Sequence, residues 1–445
     1  MDDIDDILPE NIDTEEASKF VYRALNFWYL YKDKTPELAN DYFSTPNELN
    51  NFIADFDSPE KFFNYLKYDN DSFSVLIDDY EVLEKALQGK SMSTGAIFLN
   101  FKYQEKIYLL VRNVIKDSEA YNQGVTRGDV FYKINGQEIT QNNLNELLSS
   151  THLSLSKAYL NNGDIRETDE IISLNNTELE EPSIAMYKLL EINNQKIGYL
   201  LYNSFIAKYD SELNQVFEFF QNQNIDHLIL DLRYNTGGSI NSAAALVNMI
   251  TGQFQGEVMY EDEWNEDLNS FYSEVVFFSN KNNGKPITSL GLNSLTVLTQ
   301  SRTASASELV INVLDPYIDL LQVGMNTRGK YQGSVLVYDS PNFSHRNKNL
   351  LHRYAMLPLV LKIKNSIGHT DFDKGLVADV IFEEHVEDIQ DNLGTIEEPL
   401  LNKALQTMGF PVPQLRSEHS PSNIKVKHPM STSLLENIMY KSIDK

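Results

Sequence analysis

His227-Leu228-Ile229-Leu230-Asp231-Leu232-Arg233-Tyr234-Asn235-Thr236-Gly237-Gly238-Ser239 begins as an apolar run, turns polar and breaks on two glycines. The alanine-rich stretch 240–250 follows it. A buried strand, a tight turn and a helix account for this order. Upstream, residues 196–202 read as a strand and 210–221 carry helical periodicity. Downstream, 295–298 and 317–324 supply two further strands. Strands alternating with helices over 184–410 predict a largely parallel α/β core. In such sheets ligand chemistry gathers where strands end. Glycine lets a backbone N–H approach an oxygen closely, so Gly237 or Gly238 is a candidate oxyanion donor. Asp231 and Arg233 read as holding the turn.

The strand at 295–298 runs into Ser301-Arg302-Thr303-Ala304-Ser305-Ala306-Ser307-Glu308, followed by the apolar Leu309-Val310-Ile311. Ser305 with Glu308 three residues on matches a capping box, an ordinary way to start a helix. The same placement sets a hydroxyl at a helix N-terminus, where the dipole and free N–H groups favour negative charge. The Ala306 N–H would point into that space.

A serine nucleophile needs a proton acceptor. None of the eight histidines falls in a triad motif. His227 reads as a strand-edge residue, and His345, His352 and His369 as surface residues. There is no Gly-x-Ser-x-Gly elbow. Thr327-Arg328-Gly329-Lys330 offers Lys330 instead, twenty-five residues after Ser305. An ordinary lysine near pKa ~10.4 is charged at neutral pH, and bringing it to about 7 takes roughly 4 kcal/mol of desolvation. The expected site is therefore dry and keeps carboxylates away from Lys330. A solvated loop lysine is the plain alternative.

Around this core the chain divides further. Residues 1–12 read as a flexible acidic leader, either native or left after removal of a signal or lipid-anchor segment. Residues 13–90 read as a helical module: Asp13 or Thr14 can cap a helix with apolar residues at 20, 21, 24, 25 and 28, and 59–66 and 73–87 continue the pattern. From residue 92 the period changes to strands. Gly124, the Arg127-Gly128-Asp129 turn and the hairpin signal Asn135-Gly136 give 92–180 a resemblance to a PDZ domain. That resemblance implies strand addition by a peptide whose carboxylate meets the loop at Gly95, Ala96 and Ile97. Residues 411–445 read as a polar tail with one short helix at 434–440.

Composition narrows the partners. Acidic residues number 64 against 37 basic ones, a formal charge of −27, which disfavours nucleic acid and anionic lipid. The chain has no cysteine, so disulfides, thiolate metal sites and a cysteine nucleophile are excluded.

The Asp-Leu-Arg-x-Asn-x-Gly-Gly segment at 231–238, Ser-Ala-Ser-Glu at 305–308 and Gly-Lys at 329–330 follow the PDZ-like module in order. Together they resemble the C-terminal processing, or tail-specific, serine peptidases over about 92–390. The resemblance implies a ClpP- or crotonase-like spiral α/β core and a Ser305–Lys330 dyad. It places the oxyanion hole at Ala306 and Gly237/Gly238, and implies PDZ recognition of substrate C-termini. It further implies protein or peptide substrates, no metal or other cofactor, and an extracytoplasmic location such as a bacterial periplasm or an outer-membrane lipoprotein. The sequence departs from the family where a glutamine commonly orients the lysine. That position is Ser334, with Gln332 two residues earlier, and either is a candidate for the role. Thr303 also stands in place of a common serine. Three alternatives remain: a non-catalytic binding protein on the same scaffold, a crotonase-like acyl-CoA enzyme, and an enzyme kept latent by its PDZ-like module.

Overall fold

The structure is a computed structural model that describes residues 13–161, 164–390, 392–415, 426–427 and 437–441. The expected leader at 1–12 lies outside the described residues, as do residues 434–436 of the expected tail helix.

The central sheet follows the predicted alternation. Strands Gln195–Tyr202, His227–Asp231, Ser294–Thr299, Asp319–Gly324 and Val380–Ile381 lie side by side and parallel. Ile184–Ile192 adds an antiparallel edge. Helices Asp210–Gln223, Ile240–Ile250 and Ala306–Leu314 fall between these strands in sequence. The last two are buried almost throughout, so they read as continuous apolar runs rather than amphipathic ones.

A second sheet crosses the site. It is built from Gly238–Ser239, Met439–Lys441, Gln332–Val335, Leu359–Asn365, Val258–Trp264 and Val275–Phe277, in that order. Met439 and Tyr440 therefore belong to a strand, contrary to the expected helix over 434–440. The reason is tertiary: they lie between two strand edges whose backbone groups need partners.

The N-terminal module begins as expected, with Asp13 capping the helix Thr14–Trp28 through Glu15 N and Glu16 N at 3.1 Å each. It does not stand apart. Phe20, Trp28 and Phe62 belong to the same apolar core as Leu246 and Val310. The helix expected over 73–87 is shorter, because Val75–Ile77 is a strand paired with Ala355–Leu357 and the helix starts at Tyr80. His352 is buried rather than on the surface. It meets Asp339 at 2.9 Å and stacks on Phe20.

The module after residue 92 is a β-sheet with its own core. The hairpin Val130–Ile134 to Gln137–Glu138 turns at Asn135 and Gly136, with φ of 52° and 74°, as the Asn-Gly pair predicts. Its edge strand Ala96–Tyr103 pairs with Lys106–Val114 on one side. On the other it accepts Val426–Lys427 as an antiparallel partner, opposite Phe101 and Asn100. The module docks on the core through the Arg127 turn: Arg127 Nη1 donates to Tyr234 Oη at 3.1 Å, and the Arg112 guanidinium lies 4.7 Å from the Tyr234 ring centre.

Candidate active site

The Asp231–Gly238 segment works as a bracket. Arg233 is fully buried and bonds Asp231, Glu384 and Glu398. Asp231 also accepts from Tyr199 Oη at 2.7 Å. These residues hold the end of the strand. Asn235 joins the pieces. Its amide donates to the Tyr202 carbonyl, its Oδ1 accepts from Gly237 N at 2.9 Å, and its carbonyl accepts from Ala304 N and Ser307 Oγ. One asparagine thus ties the glycine turn to the serine segment.

The two glycines are required. Gly237 has φ +115° and Gly238 φ +135°, where side chains are strained. A Cβ on Gly238 would sit 2.2 Å from the Phe205 carbonyl oxygen, and one on Gly237 2.6 Å from Ser305 Cβ. Gly237 N–H is engaged by Asn235, and Gly238 faces the strand Met439–Lys441, pairing in parallel with Met439.

Ser305 precedes the helix Ala306–Leu314 with φ +68° and ψ −119°. A non-glycine residue there is strained, and such strain is kept where the surroundings enforce it. Its hydroxyl is buried without a hydrogen-bond partner among the described residues, while its backbone N–H donates to Glu308 Oε2 at 2.7 Å. Both arms of the expected capping box are recognisable, but only the glutamate arm is a full hydrogen bond; Ser305 Oγ faces the Glu308 N–H without bonding it. Ser307 Oγ, by contrast, is spent on the Asn235 carbonyl. Ala306, buried, is the first residue of that helix.

Lys330 is fully buried. Burial pushes its ammonium down to about 7, against the opposing pull of Asp71 and Glu308. The dry site was expected; the two carboxylates were not. Glu308 is the link that the sequence did not reveal. Its Oε1 accepts from Thr327 Oγ1 at 2.5 Å and Gly329 N at 2.6 Å, and its Oε2 from Lys330 N at 2.8 Å and Ser305 N. One buried carboxylate fastens the lysine loop to the serine helix.

The N-terminal module closes the other side. The Phe73 ring centre lies 5.1 Å from Lys330 Nζ. Asp71 is held by Tyr29 Oη at 2.7 Å and by the N–H groups of Phe73 and Ser74. No spacing rule could have found these residues, because they come from a different module.

The expected lysine supports sit elsewhere. Gln332 Nε2 donates to Tyr31 Oη at 2.9 Å, and Ser334 Oγ has no partner among the described residues. Among the described residues Lys330 Nζ bonds the Asn437 carbonyl, not Gln332, Ser334 or Ser305. Gly95, at φ +90°, is closed by its own module: its carbonyl accepts from Ile115 N, and Ala96 and Ile97 pair with Val114 and Asn113.

Residues 196–340 match the model of peptidase family S41, and residues 16–75 match that of the peptidase S41 N-terminal domain. Over these two stretches the chain is similar to peptidase family S41, whose members are serine peptidases. A carboxyl-terminal-processing protease of Picosynechococcus sp. is 31% identical over 143 residues, covering 32% of this chain and 31% of the relative. The carboxy-terminal processing protease CtpA of Bacillus subtilis is 25% identical over 227 residues, 50% of this chain and 44% of the relative. The chain thus spans less than half the length of these two relatives. Two solved structures share the fold. One, a candidate S41 protease of Bacteroides fragilis, has a TM-score of 0.68 and 23% identity, covering 88% of this chain and 97% of that one. The other, the photosystem II D1 C-terminal processing protease, has a TM-score of 0.51 and 16% identity, covering 84% and 94%.

Proposed function

We propose that the chain is a serine endopeptidase of the C-terminal processing type, acting on protein or peptide substrates through Ser305 and Lys330. The observation that carries this reading is a buried, unpartnered serine hydroxyl at a strained helix start, joined through Glu308 to a lysine whose burial brings its ammonium to about 7. Such a lysine is a usable base at neutral pH.

In the mechanism, neutral Lys330 Nζ takes the proton from Ser305 Oγ as Oγ bonds the scissile carbonyl carbon. The carbonyl oxygen becomes an oxyanion facing the N–H groups of Ala306 and Gly238. Losing one such donor typically costs about 10²–10³ in rate. The oxyanion collapses, the C–N bond breaks, and Lys330 returns the proton to the leaving amine. Water then attacks the acyl-enzyme with Lys330 again as base, releasing the acid and restoring Ser305.

The edge strand Ala96–Tyr103 supports peptide recognition by the PDZ-like module, since it already accepts an extended segment at Val426–Lys427. An extracytoplasmic site stays the proposed location.

A serine-reactive fluorophosphonate should add to Ser305, seen as a mass shift on the peptide containing it. The rate of modification should rise with pH through about 7 and level off above, because only the neutral amine accepts the proton. If prolonged incubation left Ser305 unmodified at every pH, the reading would fail. A rate independent of pH between 5 and 9 would remove Lys330 as the base.

A further inference from the structure

Residues 437–441 are distant in sequence from everything else in the site, yet they run through it, Met439–Lys441 as a strand. Met439 and Tyr440 pair in parallel with Gly238 and Ser239, and on the other side Tyr440 and Lys441 pair in parallel with Ser334 and Val335. Ser239, Ser334 and Val335 are buried with the strand in place, and its removal would leave the backbone groups of both edges without these partners. The groove is thus shaped for an extended chain, the geometry of peptide recognition by strand addition.

Side chains seat the segment at both ends. Ile438 is buried among Ile77, Tyr80, Leu83 and Tyr338, and Met439 joins the main core. Lys441 Nζ bonds Asp262 Oδ2 at 2.8 Å and Glu274 Oε2 at 2.7 Å. Asp262 is a built acceptor, nearly inaccessible and fixed by Trp264 Nε1 and Glu274 N on its other oxygen. A carboxylate this buried needs a cation.

The segment also meets the chemistry. A single point, the position of a Cβ on Gly237, lies 2.7 Å from Ser305 Oγ and 2.9 Å from the Ile438 carbonyl oxygen. The neighbouring Asn437 carbonyl accepts from Lys330 Nζ. In this arrangement the amine is spent on the occupant's backbone and does not hydrogen-bond Ser305 Oγ, so a strand rests at the nucleophile without its base engaged.

We propose that the groove between Gly238–Ser239 and Gln332–Val335 is an extended-peptide site with the chain's own Asn437–Lys441 as resident occupant, locked by Lys441 on Asp262 and Glu274. A substrate must displace this strand. Those best able to do so carry apolar residues at the Ile438 and Met439 positions and a lysine or arginine three residues after the first. The consequence for activity rests on the peptidase reading above; the occupancy does not.

The test uses the full chain and Lys441→Glu, which sets a third carboxylate beside Asp262 and Glu274. Amide hydrogen exchange over residues 237–240 and 332–336 should quicken at least tenfold in the variant, with the central parallel sheet unchanged. Fluorophosphonate modification of Ser305 should quicken by a similar factor. Lys441→Arg, which keeps the charge, should match the native chain. Unchanged exchange in those two stretches overturns the proposal whatever the modification rate does, as does equal loosening in Lys441→Arg. Faster exchange with Ser305 unmodified in every variant upholds the occupancy and removes the peptidase reading instead.

Discussion

Replacing Lys330 by methionine should abolish peptide hydrolysis and at the same time make the protein more stable. Methionine fills about the same space without an amine, so no base faces Ser305. Removing one member of a nucleophile–base pair commonly costs on the order of 10⁴–10⁶ in rate. The stability change has the opposite sign. Burial holds the Lys330 amine near 7, well below its ordinary value of 10.5. Between those values the unfolded chain binds a proton that the folded chain does not, so native stability rises with pH over that window. Below about 7 the folded protein carries the full penalty of a buried ammonium, on the order of 5 kcal/mol. The methionine variant escapes it. Its denaturation midpoint should exceed that of the native protein most at pH 6, with the gap narrowing by pH 9. Ser305→Ala is the companion control. It should lose hydrolysis to a similar degree with little change in stability, because the hydroxyl it removes has no hydrogen-bond partner. A Lys330→Met protein that still cut peptides would overturn the dyad. One with a lower midpoint at pH 6 would mean that the lysine is not held dry.

Glu308→Gln should be nearly as damaging as Glu308→Ala, although it keeps the shape. All four groups at this carboxylate are donors: Thr327 Oγ1 and Gly329 N on one oxygen, Lys330 N and Ser305 N on the other. However a glutamine is turned, its NH₂ points at two of them. Each buried donor left unmatched costs about 1–3 kcal/mol, so the loss in stability should reach several kcal/mol by chemical denaturation. Because Glu308 fixes the backbone of both Ser305 and Lys330, kcat should fall by roughly 10²-fold or more while KM changes little, a misplacement effect. A second readout separates positioning from mere destabilisation. The Glu308 charge holds the Lys330 amine up, so its loss should move the midpoint of the pH–rate curve below 7. An unchanged midpoint would limit Glu308 to a structural part.

The structure also shows why part of the site was legible and part was not. Gly237 and Gly238 could be picked out because only glycine fits φ of +115° and +135° against the backbone of Phe205 and the side chain of Ser305. Ser305 was ambiguous by itself, since a cap and a nucleophile share one pattern. The tertiary structure separates the roles by giving Glu308 to the backbone and leaving Oγ unpartnered. His352 read as a surface residue because the stretch before it, 339–349, is largely polar. It is buried because Phe20, from the first helix, covers it.

From sequence alone came the alternation of strands and helices, the glycine turn, the serine at the helix start and the order of the modules. Each of these is a local property, set by side-chain periodicity, by backbone angles that few residues tolerate, or by capping within three positions. What only the folded chain decided is how distant pieces meet: Asp71 and Phe73 against Lys330, Glu308 between the serine helix and the lysine loop, and Asn437–Lys441 between two strand edges. Those contacts follow from the burial of charges and backbone groups that must be matched once water is excluded. That need appears in the assembled core and leaves no periodic trace in the sequence.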